Sequence, residues 1–145
     1  MSKPKNVFVQ GAITPEFIAN SIAKHQSKTS IGAHNIFLGQ VRADTIDKKT
    51  VTAIDYSAYE EMANKTFHDI REAIFEKYNI TCMHIYHSLG IVNVGEVCLF
   101  VFVSAPHRKI VFEALEEIVE AIKQEAPVFG KELFENGTHQ WKVNN

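Results

Sequence analysis

The sequence predicts an α+β domain, and three observations carry that expectation. Segments with strand-like alternation and β-branched content are interleaved with long stretches whose apolar residues recur at helical spacing. Two of the strand pairs are joined by turn chemistry and read as hairpins, which favours antiparallel pairing over a run of βαβ units. The stretch Val97-Cys98-Leu99-Phe100-Val101-Phe102-Val103 is apolar without interruption, the mark of a strand covered on both faces. At 145 residues the chain suits one domain, residues 1–145, able to bury a proper core without staples.

Residues 6–9 read as a short first strand. Thr14 is the expected N-cap of a helix, with Pro15 at its first position and Glu16 in its first turn, running to about Lys24. A polar loop over 26–30 leads into a strand over 32–41. Residues 43–50 hold four charges and no apolar periodicity, so they are expected to form an exposed, mobile loop. A strand follows over 51–59. Ala63, Phe67, Ile70, Ala73 and Ile74 then place one buried face on a helix over 60–78.

Strands over 80–88 and 97–104, separated by a turn at Asn93-Val94-Gly95-Glu96, make a hairpin whose register the long connection leaves open. Pro106 stops the second strand. A helix over 108–124 buries Val111, Ala114, Leu115, Ile118, Ala121 and Ile122, and Pro127 and Gly130 end it. Leu133-Phe134, the turn Glu135-Asn136-Gly137-Thr138 and residues 139–143 read as a terminal hairpin carrying Trp141, the only tryptophan.

Composition removes several function classes. Lys and Arg number 15 against 17 Asp and Glu, for a net charge of -2, so the overall field draws in neither nucleic acid nor an anionic membrane. An anionic ligand has to be held by local clustering. No apolar stretch reaches the roughly 20 residues that span a bilayer, and the first apolar run is too brief for a signal peptide, so a cytoplasmic location is expected. Cys82 and Cys98 form no CxxC pair and read as buried thiols. His84 and His87 are three apart in a strand, hence on opposite faces, and nothing nearby suggests further ligands; no metal is expected. Phe67, Phe75, Phe100, Phe102 and Phe112 fall on core faces, not on a base-stacking platform. The GxSxG, P-loop and GxGxxG signatures are absent.

Three cationic groups remain. Arg42 ends a strand after Gly39, His107-Arg108 sits where a buried strand gives way to a helix, and Lys123 with Lys131 brackets the Pro127/Gly130 break. Together they would form an anion-binding pocket, with Arg supplying a planar fork for phosphate and Lys a compact charge for a developing anion. Taken singly, each has an ordinary explanation. Arg42 opens a charged loop, and Lys123 suits both the helix macrodipole and a surface pair with Glu120.

At these residues the chain resembles the large, catalytic subunit of molybdopterin synthase, from about Gly32 to Trp141. The resemblance rests on an ordered series: Phe37-Leu38-Gly39-Gln40-Val41-Arg42, Tyr56 to Glu60 with Met62-Ala63, His87 with Gly90, and Val94-Gly95-Glu96. It continues through Ser104-Ala105-Pro106-His107-Arg108, Lys123, Ala126-Pro127, Lys131-Glu132, and Gly137 with Trp141. It implies an α/β-hammerhead fold and an enzyme that adds two sulfur atoms to cyclic pyranopterin monophosphate, forming the dithiolene of molybdopterin. The sulfur donor would be a ubiquitin-like small subunit whose C-terminal Gly-Gly ends in a thiocarboxylate. The large subunit would be a homodimer inside a heterotetramer, with no resident cofactor. Lys123 would stabilise charge at the acyl carbon, while Arg42, His107 and Arg108 would hold the phosphate and the pterin.

Two positions depart from the family pattern. Ser88 stands where an Arg usually follows the histidine matched by His87, and Gly130 stands where a second active-site lysine is usual. Lys131 either takes over that role through the backbone freedom of Gly130 or is only a neighbouring basic residue. The chain ends at Asn145, where members of the family often carry a further basic tail. The alternatives are a catalytically attenuated or non-catalytic module of the same fold, or an unrelated α+β effector-binding domain.

Overall fold

The strand over Val97–Ala105 is buried along almost its whole length, and the other elements are arranged to cover it. A computed structural model describes residues 4–143. The elements run β1 (Phe8–Gln10), α1 (Pro15–His25), β2 (Ala33–Gln40), β3 (Thr45–Ile46), β4 (Lys49–Ala58), α2 (Glu60–Lys77), β5 (Cys82–Asn93), β6 (Val97–Ala105), α3 (Arg108–Glu125), β7 (Val128–Phe134) and β8 (His139–Trp141). The sheet order is β2-β6-β5-β4-β7-β8, with neighbours antiparallel, and β1 joins β5 in parallel. This is the α+β class expected from the sequence.

Alternation along β6 divides the core in two. Phe100 and Phe102 pack with Ile13, Phe17 and Ile18 beneath α1. Leu99, Val101 and Val103 pack with Phe67, Ile70 and Ile74 of α2 and with Val111, Ala114 and Ile118 of α3. Thr14 caps α1 as its sequence predicts, its Oγ1 accepting from the Phe17 N–H at 3.1 Å. Gly32 is required by close approach: a Cβ there would collide with the Pro106 carbonyl, and its N–H donates to Ala105 O at 3.0 Å. That contact pins the junction between β6 and α3.

Several expectations need correcting. Residues 43–50 are not a structureless loop, because β3 and β4 form a hairpin with Ile46 opposite Lys49. Its two turn residues, Asp47 and Lys48, have φ of 50° and 64°, the left-handed pair of a type I′ turn; neither is glycine, which hid the hairpin from the sequence. β5 continues past Ser88 to Asn93, exchanging its partner from β6 to β4 around Gly90, whose φ is 81°. β7 begins at Val128, so Gly130 lies inside a strand and is not a helix stop. Ala73 and Phe112 are exposed, Phe112 by 59%. No helix among the described residues is long and apolar enough to cross a membrane.

The turn assignment predicts that Lys48→Gly stabilises the protein by about 0.5–1 kcal/mol, since a left-handed backbone costs a side-chain-bearing residue roughly 1–2 kcal/mol, offset in part by the greater entropy of unfolded glycine. Urea denaturation reads this directly, and a loss of stability would contradict the type I′ turn.

Candidate active site

Alternation in β5 sends His84 and His87 to opposite faces, and His87 enters the side covered by α2 and α3. It is 5% exposed. Its Nδ1–H donates to the Ser88 carbonyl at 2.8 Å, which leaves Nε2 as an acceptor. Rings of Tyr56 and Phe8 meet it edge-on at 5.1 and 6.2 Å. Burial pulls its pKa down to about 4; the Ser88 carbonyl opposes this, and the nearby Lys123 charge adds to it. His87 is therefore neutral at physiological pH.

Tyr56 is held in place by sulfur. Its hydroxyl donates to Cys98 Sγ at 3.3 Å, and that thiol donates to the Gly39 carbonyl at 3.4 Å. Burial first, then the Cys98 sulfur, pushes the phenol far above its ordinary range, so Tyr56 is a neutral hydrogen-bonding wall. Cys82 and Cys98 are both free, buried thiols, as the sequence suggests.

Helix α3 runs back along β6 and brings Lys123, in its last turn, to the mouth of a cleft with Tyr56, His87, Ile122, Gly130 and Lys142. The cleft encloses about 40 Å³, close to the space of one water. It admits a terminal carboxylate-sized group, whereas a bicyclic ligand requires several hundred Å³. Lys123 forms no ion pair with any described residue; the expected pair with Glu120 is not present.

Gly130 faces Tyr56 across the β4–β7 ladder. A Cβ at 130 would lie 2.9 Å from Ile54 Cγ2 and 3.3 Å from Tyr56 Cε1, so the glycine is there for close approach. Its φ is not in the left-handed region, which removes the idea that its freedom turns Lys131 inward. Lys131 points to the other face of the strand, with Nζ 5.6 Å from the centre of the Trp141 ring. Lys142, which sequence reasoning passed over, lines the cleft.

The remaining cations are not gathered there. His107 is the N-cap of α3 and Arg108 its first residue, separated from Lys123 by about 22 Å of helix at 1.5 Å per residue. Their expected union with Lys123 does not occur within one chain. The helix start that carries them has no acidic residue in its first turn and no side-chain cap, so its N–H groups are available to an anion. Arg42 lies just beyond β2, whose last residue pairs with Val97, at the same end of the sheet as Lys123. Its guanidinium is engaged by Asp44 at 2.7 and 3.3 Å. Ser88 is completely buried, and its hydroxyl has no hydrogen-bond partner among the described residues.

The opposite face of β5 carries a cluster that the sequence did not suggest. His25, Cys82 and His84 bring ligand-type atoms within 4.8 Å of one another, so the argument from missing ligands no longer holds. His25 Nε2 meets His84 Nε2 at 3.0 Å, and the Lys28 ammonium donates to Cys82 Sγ at 2.9 Å. Burial lowers the pKa of His84 to about 4, reinforced by charge from His25, Lys5, Lys28 and Arg71, so its imidazole is neutral at physiological pH. A larger cavity of about 310 Å³, lined by Lys5, Phe67, His68 and Arg71 among others, shares no lining residue with the Lys123 cleft.

Comparison with known proteins resolves the family. The family model described as MoaE protein matches residues 13–125. The chain belongs to the MoaE family. It is 40% identical over 121 residues to the molybdopterin synthase catalytic subunit of Bacillus subtilis, covering 83% of this chain and 76% of that one. To molybdopterin synthase catalytic subunit 1 of Aedes aegypti it is 38% identical over 128 residues, 86% and 80% of the two chains. Among solved structures, MoaE-family architecture recurs in molybdopterin synthase from Staphylococcus aureus, with a TM-score of 0.81, 29% identity and 99% of each chain covered. The fold also matches a structure solved as a complex of subunits 1 and 2 of molybdopterin-converting factor from Helicobacter pylori, at a TM-score of 0.79 and 21% identity over 95% and 90% of the chains.

The His87 environment makes a pH prediction. Its folded pKa, about 4, lies below its ordinary 6.5, so between these values the unfolded chain binds the proton more readily. This contribution to stability is complete above pH 6.5 and is lost as pH falls towards 4. An NMR titration of the assigned His87 ring should have its midpoint near 4; a midpoint near 6.5 would contradict the burial described.

Proposed function

We propose that this chain is the catalytic subunit of a cytoplasmic molybdopterin synthase. It transfers sulfur from the thiocarboxylated C-terminal Gly-Gly of a ubiquitin-like small subunit to cyclic pyranopterin monophosphate, forming the molybdopterin dithiolene. Family membership supports the reaction class, and one observation carries the site: Lys123, unpaired among the described residues, stands beside neutral, buried His87 in a cleft of about 40 Å³. A Gly-Gly tail has no side chains to obstruct its entry. Once the thiocarboxylate sulfur has bonded to the pterin, water adds to the acyl carbon, and the Lys123 ammonium stabilises the oxyanion formed there as the C–S bond breaks, leaving a thiolate on the pterin and a carboxylate on the small subunit.

The pterin and its phosphate need more room and more charge than this cleft offers. His107, Arg108 and the unoccupied N–H groups of α3 provide an anion site at the far end of the helix. A twofold homodimer that lays the start of α3 from one copy beside the Lys123 cleft of the other joins the two halves and produces two equivalent sites. Arg42 is at the Lys123 end of the sheet and reaches the phosphate by exchanging Asp44 for it.

Reconstitution with a thiocarboxylated small subunit and the pterin precursor tests the proposal by formation of the dithiolene product. Lys123→Ala is expected to reduce turnover about a hundredfold or more with the fold intact, as loss of one preorganised charge stabiliser costs roughly 3 kcal/mol at the barrier. Near-normal turnover would remove Lys123 from the mechanism.

A further inference from the structure

We infer that Lys142 is the second cation of the Lys123 cleft, contacting the anionic end of the sulfur donor where Gly130 leaves no side chain. The inference rests on the sulfur-transfer function proposed above and assigns to it a residue outside the sequence motif.

Strand register places Lys142. In the β7–β8 hairpin Leu133 faces His139 and Lys131 faces Trp141, so continuing the antiparallel ladder brings Lys142 opposite Gly130. A backbone bond fixes this, the Lys142 N–H donating to the Gly130 carbonyl at 2.7 Å. Residues opposite one another in a ladder share a face. Gly130, Glu132 and Phe134 form the buried face of β7, and Gln140 on the same face donates to Glu132 at 3.2 Å. Lys142 extends this face into the cleft, while Lys131 and Trp141 project from the other.

Charge indicates what the cleft receives. Lys123 and Lys142 both line it, no carboxylate does, and neither lysine forms an ion pair with a described residue. Two cationic residues lining one cleft, with no carboxylate among the lining, favour an anionic occupant. A cleft of about 40 Å³ limits that anion to a carboxylate-sized terminus, and the thiocarboxylate at the end of an extended tail has that size and charge. The side chain at 130 cannot serve instead, because its Cβ would crowd Ile54 and Tyr56.

The test uses the full chain reconstituted with the thiocarboxylated small subunit. Product formation by the unsubstituted protein establishes the reaction independently of Lys142. Lys142→Ala should then lower kcat/KM for the small subunit by roughly tenfold or more, with Lys142→Arg recovering most of it, because the lost contact is charge-assisted. Lys131→Ala should cost less than Lys142→Ala. Loss within about twofold for Lys142→Ala, the range of an ordinary surface charge, or the reverse order of the two variants, would overturn the inference. Should the unsubstituted protein make no product, the functional proposal fails, and titration with a peptide ending in Gly-Gly carboxylate still decides the site. Roughly tenfold weaker binding by Lys142→Ala supports the second cation, and unchanged binding refutes it.

Discussion

A strand that is apolar on both sides has to be enclosed on both sides, and β6 imposes this on the rest of the molecule. Phe100 and Phe102 require α1 as a cover on one face, while Leu99, Val101 and Val103 require α2 and α3 on the other. Helix α3 follows β6 directly, after Pro106, and covers the strand it has just left by running back along it. Its start therefore lies at one end of the sheet and Lys123 at the other. The separation of the two cationic groups follows from that cover, as does the position of Lys123 beside His87.

Separation of charge has a functional consequence. Gathering His107, Arg108, Lys123 and Lys142 at one end of a single chain would place strong repulsion in a folded monomer. Division between the two ends of α3 lets each half fold with tolerable repulsion, and in the proposed twofold homodimer association of two copies would complete the site. The halves also differ in chemistry. The start of α3 offers open N–H groups, an imidazole and a guanidinium suited to phosphate. The Lys123 cleft is narrow and walled by the neutral groups Tyr56 and His87, where charge on a reacting atom is weakly screened.

Much of the fold was legible because its signals are local. Thr14-Pro15-Glu16 announces α1, uninterrupted apolarity announces β6, and the spacing of Val111, Ala114, Leu115, Ile118 and Ile122 gives the buried face of α3. What escaped depends on partners distant in sequence. Asp47-Lys48 turns a hairpin without glycine, and the passage of β5 from β6 to β4 is decided by which strand is adjacent. The family resemblance drew attention to Lys131 because it neighbours Gly130 in sequence, yet adjacent strand residues point in opposite directions. Lys142 escaped for the same reason: a four-residue turn over 135–138 would set Lys131 opposite Lys142, whereas Phe134 pairs with Thr138 around a three-residue connection, and that shift of one residue brings 142 opposite 130.

The central claim is that the working site combines the Lys123 cleft of one copy with the start of α3 of another, and mixing two inactive variants tests it most directly. Lys123→Ala and Arg108→Ala chains, unfolded together and refolded as a mixture, would form mixed dimers with both defects in one site and neither in the other. Random pairing then restores about a quarter of the unsubstituted activity, since half of the dimers carry one intact site of two. Activity no greater than the mean of the two separate variants would show that the groups do not combine across copies, and the account of the site would fall.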